Sequence, residues 1–539
     1  MYACTDELFR LRPFIPHPID DPAVAKRRGK RHRYPPGAAA PGHRPGKMQI
    51  VTFRTVSKTA FGSLRLGGLL GLLLGALAGC AAPLPRLKPP LPAQWQHAIA
   101  SDPAKPTDLH GWWHAFDDPQ LDALVDRALA NNLDVAQAVE RLRGVRAMQR
   151  HAQGRYRPKL DFNTNQAIDP DASASFFVAG FDSTWELGVF GRAEGTRRES
   201  QGALDASVAD LRAARVSLVA EVVREWINLR TAQQQEHLLK QISRARQRDW
   251  QLLQVRERLQ LIAPAAVDQA QAAFAQSEAA LAAPRQAINA SAQQLAVLLG
   301  QNHPDPVWLQ PGKAPELGDW QLDGTPAELL RTRPEIARAE ADVLSSAGEL
   351  ALAHANLYPS VGLGASLVWA TDLNNNRKRT VSNGLLTAGP ILDIPLFDWG
   401  MRLAAEHEKD HQLKASVLAY RQAVLRGVAE VETALGSLDQ QQQREQHSRL
   451  AWQALQRSDR AVQTRIDLHL DSPLDRVQSQ LAADQAAIEL ADARAAHSLA
   501  YVALFKALGG APLPASEAPP AAAASRPAAA TLPVAEAQH

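Results

Sequence analysis

Two long stretches without proline constrain this chain of 539 residues more than any other feature of its sequence. They cover residues 191–263 and 396–472 and are rich in alanine, leucine and glutamine. Because proline breaks helices and an α-helix rises about 1.5 Å per residue, each stretch predicts a helix approaching ~100 Å in length. Apolar side chains in the first stretch follow a heptad pattern that Arg215 and Glu225 interrupt: Leu204, Val208, Leu211, Leu218, Val222 and Leu229. We therefore expect the long helices to pack against each other.

The chain repeats one pattern in two halves. Residues 131–162 align without a gap with residues 332–363, at an offset of 201 positions, and both segments end at a proline that alternating sequence follows. Later matches, such as Gly300 with Gly509, have an offset of 209. A repeat of this length is too long for a solenoid and indicates a duplicated half-molecule. Each half predicts a helix, two short strands, a very long helix, a turn and a medium helix.

Alternation of apolar and polar residues predicts the strands in each half. One face of each strand is apolar: Val361, Leu363, Ala365, Leu367 and Trp369 in the second half, and Phe177, Ala179, Phe181, Trp185, Leu187 and Val189 in the first. Tilted strands of about 9–11 residues can cross a bilayer. The polar, turn-rich loop 371–384 would join the second pair as a hairpin. A small half-buried sheet in a soluble protein would show the same alternation.

The sequence from Met48 to Cys80 has the order of a secretory signal. Residues 1–47 contain the basic run KRRGKRHR and no periodic apolar pattern, so they are either a basic nucleic-acid arm or, as we favour, an extension upstream of a true start at Met48. Basic residues, the apolar run 66–76 and a small-residue cleavage site follow. The apolar run is much shorter than the ~20 residues of a transmembrane helix.

Leu77-Ala78-Gly79-Cys80 resembles a bacterial lipobox, in which the cysteine becomes the acylated first residue of the mature chain. Acyl chains anchor a protein by burying methylene groups, at about 0.8 kcal/mol each. We therefore predict a covalent lipid on Cys80 and no other cofactor. Ala81 follows the cysteine. In lipoprotein families aspartate at this position favours retention in the inner membrane, so alanine resembles an outer-membrane lipoprotein.

Composition and motifs argue against several other classes. The net charge of +3 indicates no general preference for nucleic acid, and two cysteines are too few for a disulfide framework. The sequence contains no GxSxG or Walker A motif. HEKDH at 407–411 has the spacing of an HExxH motif but lies inside the second proline-free stretch, and we regard an enzyme as the weakest interpretation. Residues 109–118 bring together potential zinc ligands, His110, His114, Asp117 and Asp118. We favour a polar start to the first helical region instead, with Trp112, Trp113 and Phe116 as packing anchors.

Together these features resemble the TolC-like outer membrane factor family, in its lipoprotein branch of NodT/OprM-type efflux proteins, over about residues 80–511. The order and duplication of several stretches carry the resemblance: the lipobox, WWHAFDDPQLDALVDRALANN at 112–132, RYRPKLDF at 155–162, WELGVFGR at 185–192, DIPLFDWGMR at 393–402 and YVALFKALGG at 501–510. The resemblance implies a mainly α-helical homotrimer with membrane β-strands. Four strands per chain would close a 12-stranded barrel in the outer membrane, and the long coiled-coil helices would form an α-barrel through the periplasm.

The function implied by the resemblance is passive conduction in a tripartite efflux system. A periplasmic adaptor, also called a membrane fusion protein, would join the channel to an inner-membrane pump, most simply of the resistance-nodulation-division type. The turns after the long helices would form the periplasmic tip. In relatives a glycine precedes a small apolar residue there, whereas Gln260 and Asp467 occupy those positions here. We predict adaptor contacts at Leu261, Ile262 and Leu468.

A second site implied by the resemblance is the closed periplasmic aperture, which carboxylates often ring in relatives. The matching position is Arg476, beside Asp475. Three arginines around an axis would repel one another unless each were paired. We therefore predict an aperture network of Asp475 and Arg476, with an anion-favouring constriction as one hypothesis.

The N-terminal part divides into an extension (1–47), a signal peptide (48–79) and a lipidated segment (80–118). It is followed by a first efflux repeat (119–300), a linker (301–331) and a second repeat (332–510). The chain closes with an Ala/Pro-rich tail that we expect to be disordered (511–539). Two other functions stay open on the sequence alone. One is an exit duct for protein secretion of the type I kind. The other is a periplasmic coiled-coil lipoprotein scaffold without a pore, whose solvated surface would also explain the glutamine-rich run 440–446.

Overall fold

A computed structural model describes residues 84–87, 92, 94–96, 108–167, 176–320, 330–372 and 381–512. The predictions for the extension 1–47, the signal 48–79 and Cys80 lie outside these residues, as does the tail beyond residue 512. No helix in the described ranges is both long and apolar enough to cross a membrane.

The first half begins with a 3-10 helix and continues as two helices, two strands and three further helices. The bounds are Trp112–Phe116 for the 3-10 helix, then α1 (Pro119–Asn131), α2 (Leu133–His151), β1 (Lys159–Ala167), β2 (Phe176–Leu187), α3 (Arg192–Arg258), α4 (Pro264–Ala280) and α5 (Ala282–Leu298). A second 3-10 helix, Ala152–Tyr156, leads from α2 into β1.

The second half repeats this order with fewer breaks. It consists of α6 (Pro334–Ala355), β3 (Ser360–Asp372), β4 (Val381–Asp393), α7 (Met401–Asp467) and α8 (Pro473–Ala507). Both long helices, α3 and α7, have 67 residues, which corresponds to about 100 Å each. The two long helices predicted from the proline-free stretches are therefore confirmed.

The four strands form one antiparallel sheet in the order β1-β2-β3-β4, so β2 and β3 join the two halves and β1 and β4 are its edges. The predicted loop 371–384 is shorter than expected. Strand β3 continues to Asp372 and β4 begins at Val381. The ladder persists because Ala370 pairs with Val381 beyond a register shift, so backbone hydrogen bonds outweigh the turn-like composition.

The main core lies where the N-terminal residues of the first half meet the end of α8. Trp112 stacks on Phe505 with ring centroids 5.6 Å apart, and its indole nitrogen donates to the carbonyl oxygen of Gly510 at 3.1 Å. The Tyr501 hydroxyl donates to the carbonyl oxygen of Trp112 at 2.9 Å. Trp112, Trp113 and Phe116 are all buried in this cluster, which confirms them as packing anchors.

The heptad seam predicted in α3 packs into the same core. Leu211, Leu218, Val222 and Leu229 are buried, whereas Leu204 and Val208 are partly buried beside them. Glu225, which interrupts the pattern, is also buried and accepts a hydrogen bond from the Ser291 hydroxyl of α5 at 2.9 Å. A buried carboxylate needs such partners because its desolvation is costly.

Candidate functional site

The sheet has one apolar and one polar face. Residues opposite each other in an antiparallel ladder share a face, and the register groups one apolar set: Leu160, Phe162, Phe177, Phe181, Trp185, Leu363, Leu367, Trp369, Leu386 and Leu392. Phe181 contacts Phe162 and Trp369, at centroid distances of 5.0 and 6.2 Å. Much of this face is exposed in the single chain; Leu386, for example, is 71% accessible. A contiguous apolar surface of this size needs lipid or a protein partner.

The opposite face of the sheet is mainly polar and internally hydrogen-bonded, and Leu385 and Ile391 of β4 also lie on it. The carboxylate of Asp182 accepts hydrogen bonds from the Ser366 hydroxyl at 2.6 Å and from the Asn163 amide at 2.9 Å. Lys159, Thr184 and other polar residues share this face. The strands thus separate an apolar surface from a wettable one, as the alternation predicted.

The long helix of the first half packs closely on α6 through small residues. A Cβ atom at Gly202 would lie 2.5 Å from the backbone nitrogen of Ser345, and one at Gly348 would lie 2.3 Å from that of Glu199. The equivalent face of α2, 201 residues earlier, is open: nothing lies within 4 Å of a Cβ placed at Gly144, and Met148 is exposed. The chain therefore completes a helix contact at α6 that it leaves unmade at α2.

Both helical turns at the far end of the long helices have the same backbone. In the first, the Gln260 and Leu261 amides donate to the carbonyls of Glu257 and Arg256 at 2.7 and 2.9 Å, the pattern of a Schellman cap. In the second, the His469 and Leu470 amides make the equivalent bonds.

The left-handed positions of these caps are Gln260, with φ of 57°, and His469, with φ of 58°. Glycine favours this conformation because it has no Cβ. Our placement of Asp467 as the substitute for the second glycine was therefore wrong, since Asp467 is the last residue of α7. The residue that corresponds to Leu261 is Leu470, and Leu468 corresponds to Leu259.

The predicted tip residues lie on these two turns. Leu261 and Leu468 are exposed and Ile262 is half-buried. The sequence analysis missed Leu259 and Leu470, which are equally exposed. The offset of 209 positions, already visible at Gly300 and Gly509, would have found them. Four leucines thus make an exposed apolar tip whose role in adaptor contact stays a prediction.

The two aperture candidates, although adjacent in sequence, have separate partners. Asp475 belongs to the N-terminal capping box of α8, where its carboxylate accepts from the Ser472 hydroxyl and backbone amide at 2.7 and 3.0 Å. The Ser472 side chain thereby holds the pKa of Asp475 below its ordinary value. The Arg476 guanidinium donates to Asp459 and Gln463 of α7. The predicted pairing of the two is thus replaced within the chain by a link from Arg476 to α7, which sequence spacing could not indicate.

Farther from the tip, one carboxylate in each half links a long helix to the helix after it. Glu445 of α7 contacts Arg449 of its own helix and, on α8, Arg494 at 3.7 Å and His497 at 2.8 Å. His497, followed by Arg449, holds the pKa of Glu445 below its ordinary value. The counterpart in the first half is Glu236, which contacts Lys240 and, on α5, Arg285.

The potential zinc ligands near Trp112 have other partners. His110 lies 2.7 Å from the carbonyl oxygen of Ala511, and His114 lies 2.8 Å from Asp122. Asp118 caps α1 and accepts a hydrogen bond from the Trp226 indole at 2.8 Å. Within the described residues, no group of three or more His, Cys, Asp or Glu side chains is arranged to hold a metal ion.

Solved structures of outer membrane channels have the same fold. The channel OprN aligns with a TM-score of 0.70 and 25% sequence identity, covering 80% of this chain and 99% of that one. The open state of the MtrE outer membrane channel of Neisseria gonorrhoeae aligns with a TM-score of 0.68 and 22% identity, covering 80% and 98%. At that identity the second likeness concerns the fold alone.

Curated relatives match over most of their length. The pyoverdine export outer membrane protein OpmQ of Pseudomonas aeruginosa is 28% identical over 81% of this chain and 95% of its own length. Nodulation protein T of Rhizobium leguminosarum is 28% identical over 64% of this chain and 72% of its own length. The sequence profile of the outer membrane efflux protein family matches residues 124–301 and 325–510, one segment in each half. The chain therefore belongs to the outer membrane efflux protein family.

Proposed function

We propose that this protein is the outer-membrane channel of a tripartite efflux system and passively conducts substrates that an inner-membrane pump delivers. The observation that carries the proposal is the sheet with an exposed apolar face, continuous in the chain with two helices of 67 residues. The apolar face suits lipid, whereas the polar face suits a water-filled lumen. The family and the named relatives are channel proteins, and we propose no catalytic activity for the chain.

A closed pore requires further copies of the chain. Strands β1 and β4 are free edges in the single chain, and an unpaired edge is not tolerated in the hydrocarbon of a bilayer. Pairing of β4 with β1 of the next copy would repeat the junction that β2 and β3 make inside the chain. The open face of α2 would then contact α7 of the next copy as α6 contacts α3. We propose a homotrimer of 12 strands, the number taken from the resemblance.

The exposed leucines of the two tip turns provide a surface for the periplasmic adaptor. Leu261 and Leu470 occupy equivalent positions, so a ring of three chains would present six similar turns to the adaptor. Energy would come from the inner-membrane pump, which we propose is of the resistance-nodulation-division type. Cys80, outside the described residues, would carry the lipid that attaches the N-terminus to the outer membrane.

The ion pair of Arg476 near the tip is relevant to gating of the proposed pore. Arg476 ties α8 to Asp459 of α7, close to the turn that would narrow the pore. We retain the proposal that Arg476 influences ion preference at the aperture. An Arg476→Ala variant should then change the conductance or the anion preference in bilayer recordings, and an unchanged channel would remove Arg476 from the aperture.

Two neighbouring residues of β4 test whether the sheet spans a membrane. Leu386 lies on the apolar face, opposite Leu367, and Thr387 lies on the polar face, opposite Ser366. An arginine on the lipid face of a barrel costs about 2–4 kcal/mol near the bilayer midplane, whereas one in the lumen does not. Leu386→Arg should therefore reduce assembly in the outer membrane, and Thr387→Arg should assemble and alter conductance.

A soluble scaffold predicts a different result for the same pair. An exposed leucine replaced by arginine would then cost little, so both variants would accumulate equally in the periplasm. Equal assembly of Leu386→Arg and Thr387→Arg, measured as heat-resistant oligomer in the outer-membrane fraction, would contradict the proposed function.

A further inference from the structure

The first half carries a row of arginines that the second half lacks. Arg143, Arg146 and Arg150 follow one another at helical spacing on α2, which places them on one face of the helix. At the equivalent positions of α6, 201 residues later, stand Leu344, Ala347 and Ala351. The charge is therefore not part of the packing pattern that the two halves share. We call these three residues the arginine stripe.

The stripe is largely without acidic partners. Arg143 forms an ion pair with Glu140, in which both side chains are about two-thirds exposed, and such surface pairs are weak. Among the described residues, no carboxylate lies within 4 Å of Arg146 or Arg150. A positive charge in the last turn of a helix is stabilised by the helix dipole, and the last turn of α2 contains Arg150. The dipole does not explain cations earlier in the helix. Arg143 and Arg146 therefore need another explanation.

The N-terminal segment identifies the outward side of these helices. Leu84, Pro85 and Leu87 follow the predicted lipidation site and line one pocket together with residues of α3 and α6, including Glu340 and Leu344. Because a lipid-anchored segment must run outside the channel, the face of α6 that contains Leu344 points outward. The equivalent face of α2 contains Arg143, so the arginine stripe also points away from the lumen.

Aromatic residues mark the level of the membrane surface just beyond the stripe. The indole of Trp185 donates to the carbonyl oxygen of Tyr156 at 3.0 Å, and Phe190 stacks on Tyr358 at 5.4 Å. Trp399 is exposed at the same junction of strand and long helix in the second half. Barrels carry such aromatic girdles at the level of the lipid headgroups.

The stripe approaches this girdle at the end of α2. From Arg143 to His151 is about 12 Å along the helix, and the 3-10 helix Ala152–Tyr156 adds up to about 10 Å before Tyr156. The headgroup layer is roughly 5–8 Å thick on each side of the hydrocarbon, and charges interact over a Debye length of about 8 Å at physiological salt. Arg150, nearest the girdle, thus lies within reach of the lipid phosphates of the periplasmic leaflet, and Arg146 and Arg143 lie about one and two helical turns farther away.

We propose that Arg143, Arg146 and Arg150 bind the headgroups of anionic glycerophospholipids in the periplasmic leaflet of the outer membrane. The inference rests on the proposed function, because that function places the sheet in a bilayer. Each basic residue near an anionic surface contributes favourable binding energy, and guanidinium groups match phosphate geometry. The binding would be local to α2 and would recur once per chain around the channel.

The test compares lipids retained by the intact oligomer after extraction from vesicles of mixed phosphatidylethanolamine and phosphatidylglycerol. The stripe variant is Arg143→Gln/Arg146→Gln/Arg150→Gln. A control with the same loss of charge is Arg141→Gln/Arg244→Gln/Arg457→Gln, which removes three exposed arginines from elsewhere in the chain, one of them on another face of α2. Native mass spectrometry counts each retained lipid, and planar bilayers of neutral lipid report conductance.

We expect phosphatidylglycerol to be enriched on the original chain and on the control, and the stripe variant to lose about tenfold or more of that enrichment. Equal retention by the stripe variant, or an equal loss in the control, would overturn the inference. Conductance separates this failure from failure of the proposed function. A stripe variant that still conducts but retains phosphatidylglycerol contradicts only the lipid site, whereas an original chain that never conducts contradicts the channel itself.

Discussion

The two halves of the chain share one plan but complete it differently. In α3 burial begins at Gly195, three residues after the helix starts, because α6 covers it. In α7 the first buried residue is Tyr420, so residues 401–419 have no buried member. The same part of the long helix is thus covered in the first half and only partly covered, by α6, in the second. The difference indicates which surfaces a second copy of the chain must cover.

The largest expected effect comes from adding a side chain at a glycine in the close helix contact of α6, compared with adding one at a glycine on the open face of α2. Gly348→Leu should unfold or strongly destabilise the chain, by about 3 kcal/mol or more, because its Cβ would lie 2.3 Å from the backbone of α3. Gly144→Leu, at an open position of α2, should leave the folded chain intact but weaken its assembly. Circular dichroism reports folding and light scattering reports oligomer size.

If the oligomer does not use the open face of α2, Gly144→Leu will assemble normally. That result would break the equivalence between the contact inside the chain and the contact between copies.

The ion clusters of Glu445 and Glu236 should differ in strength. Glu445→Gln should lower stability by about 2 kcal/mol, because it leaves His497 and two arginines without their carboxylate. Glu236→Gln should cost less, since its carboxylate is more exposed and contacts two side chains rather than three. Denaturation of the detergent-solubilised protein near neutral pH compares the two, and a larger effect at Glu236 would contradict this ranking.

Acid should remove the contribution of both carboxylates. Their pKa values are lowered in the folded protein, so the stability is present above the ordinary carboxyl pKa of 4.5 and is lost as the pH falls through the lower folded values. The original chain should lose stability over this acidic range, and Glu445→Gln should lose less. Parallel pH curves for the two proteins would show that Glu445 does not contribute.

The start of α8 has a cap that the start of α4 lacks. Ser472 caps α8 by accepting from the amide of Asp475, whereas Ala263 stands at the equivalent position before α4 and makes no side-chain cap. Ser472→Ala should cost about 1 kcal/mol, and Ala263→Ser should recover part of that amount at the other turn. Thermal unfolding measures both, and no change at Ser472 would mean that the tip frays independently of global unfolding.

The smallest expected effect concerns the left-handed residues of the tip turns. Gln260→Gly and His469→Gly should each stabilise the turn by up to about 1 kcal/mol, because glycine adopts positive φ without strain. Hydrogen exchange of the tip amides is the appropriate measurement. Slower exchange after substitution supports strain at these positions, and faster exchange would show that the native side chains stabilise the caps.

Periodicity and repeats predicted most of the fold, because they reflect backbone requirements. The absence of proline located α3 and α7, and alternation located the apolar face of the sheet. The tip was predicted less well. Asp467 was chosen from the pattern of relatives, whereas the left-handed residue is His469. The pairing of Arg476 with Asp459 across two helices was invisible, because residues 17 positions apart meet only once the hairpin has folded.

The most direct test of the account is the mass and conductance of the protein expressed from Met48. The protein would be extracted from the outer-membrane fraction, weighed by light scattering and inserted into a planar bilayer. We predict an oligomer of three chains that conducts, even if openings are rare. A monomer that stays silent and leaves the membrane when Cys80 is replaced by serine would contradict the account, because its strands would not span the bilayer.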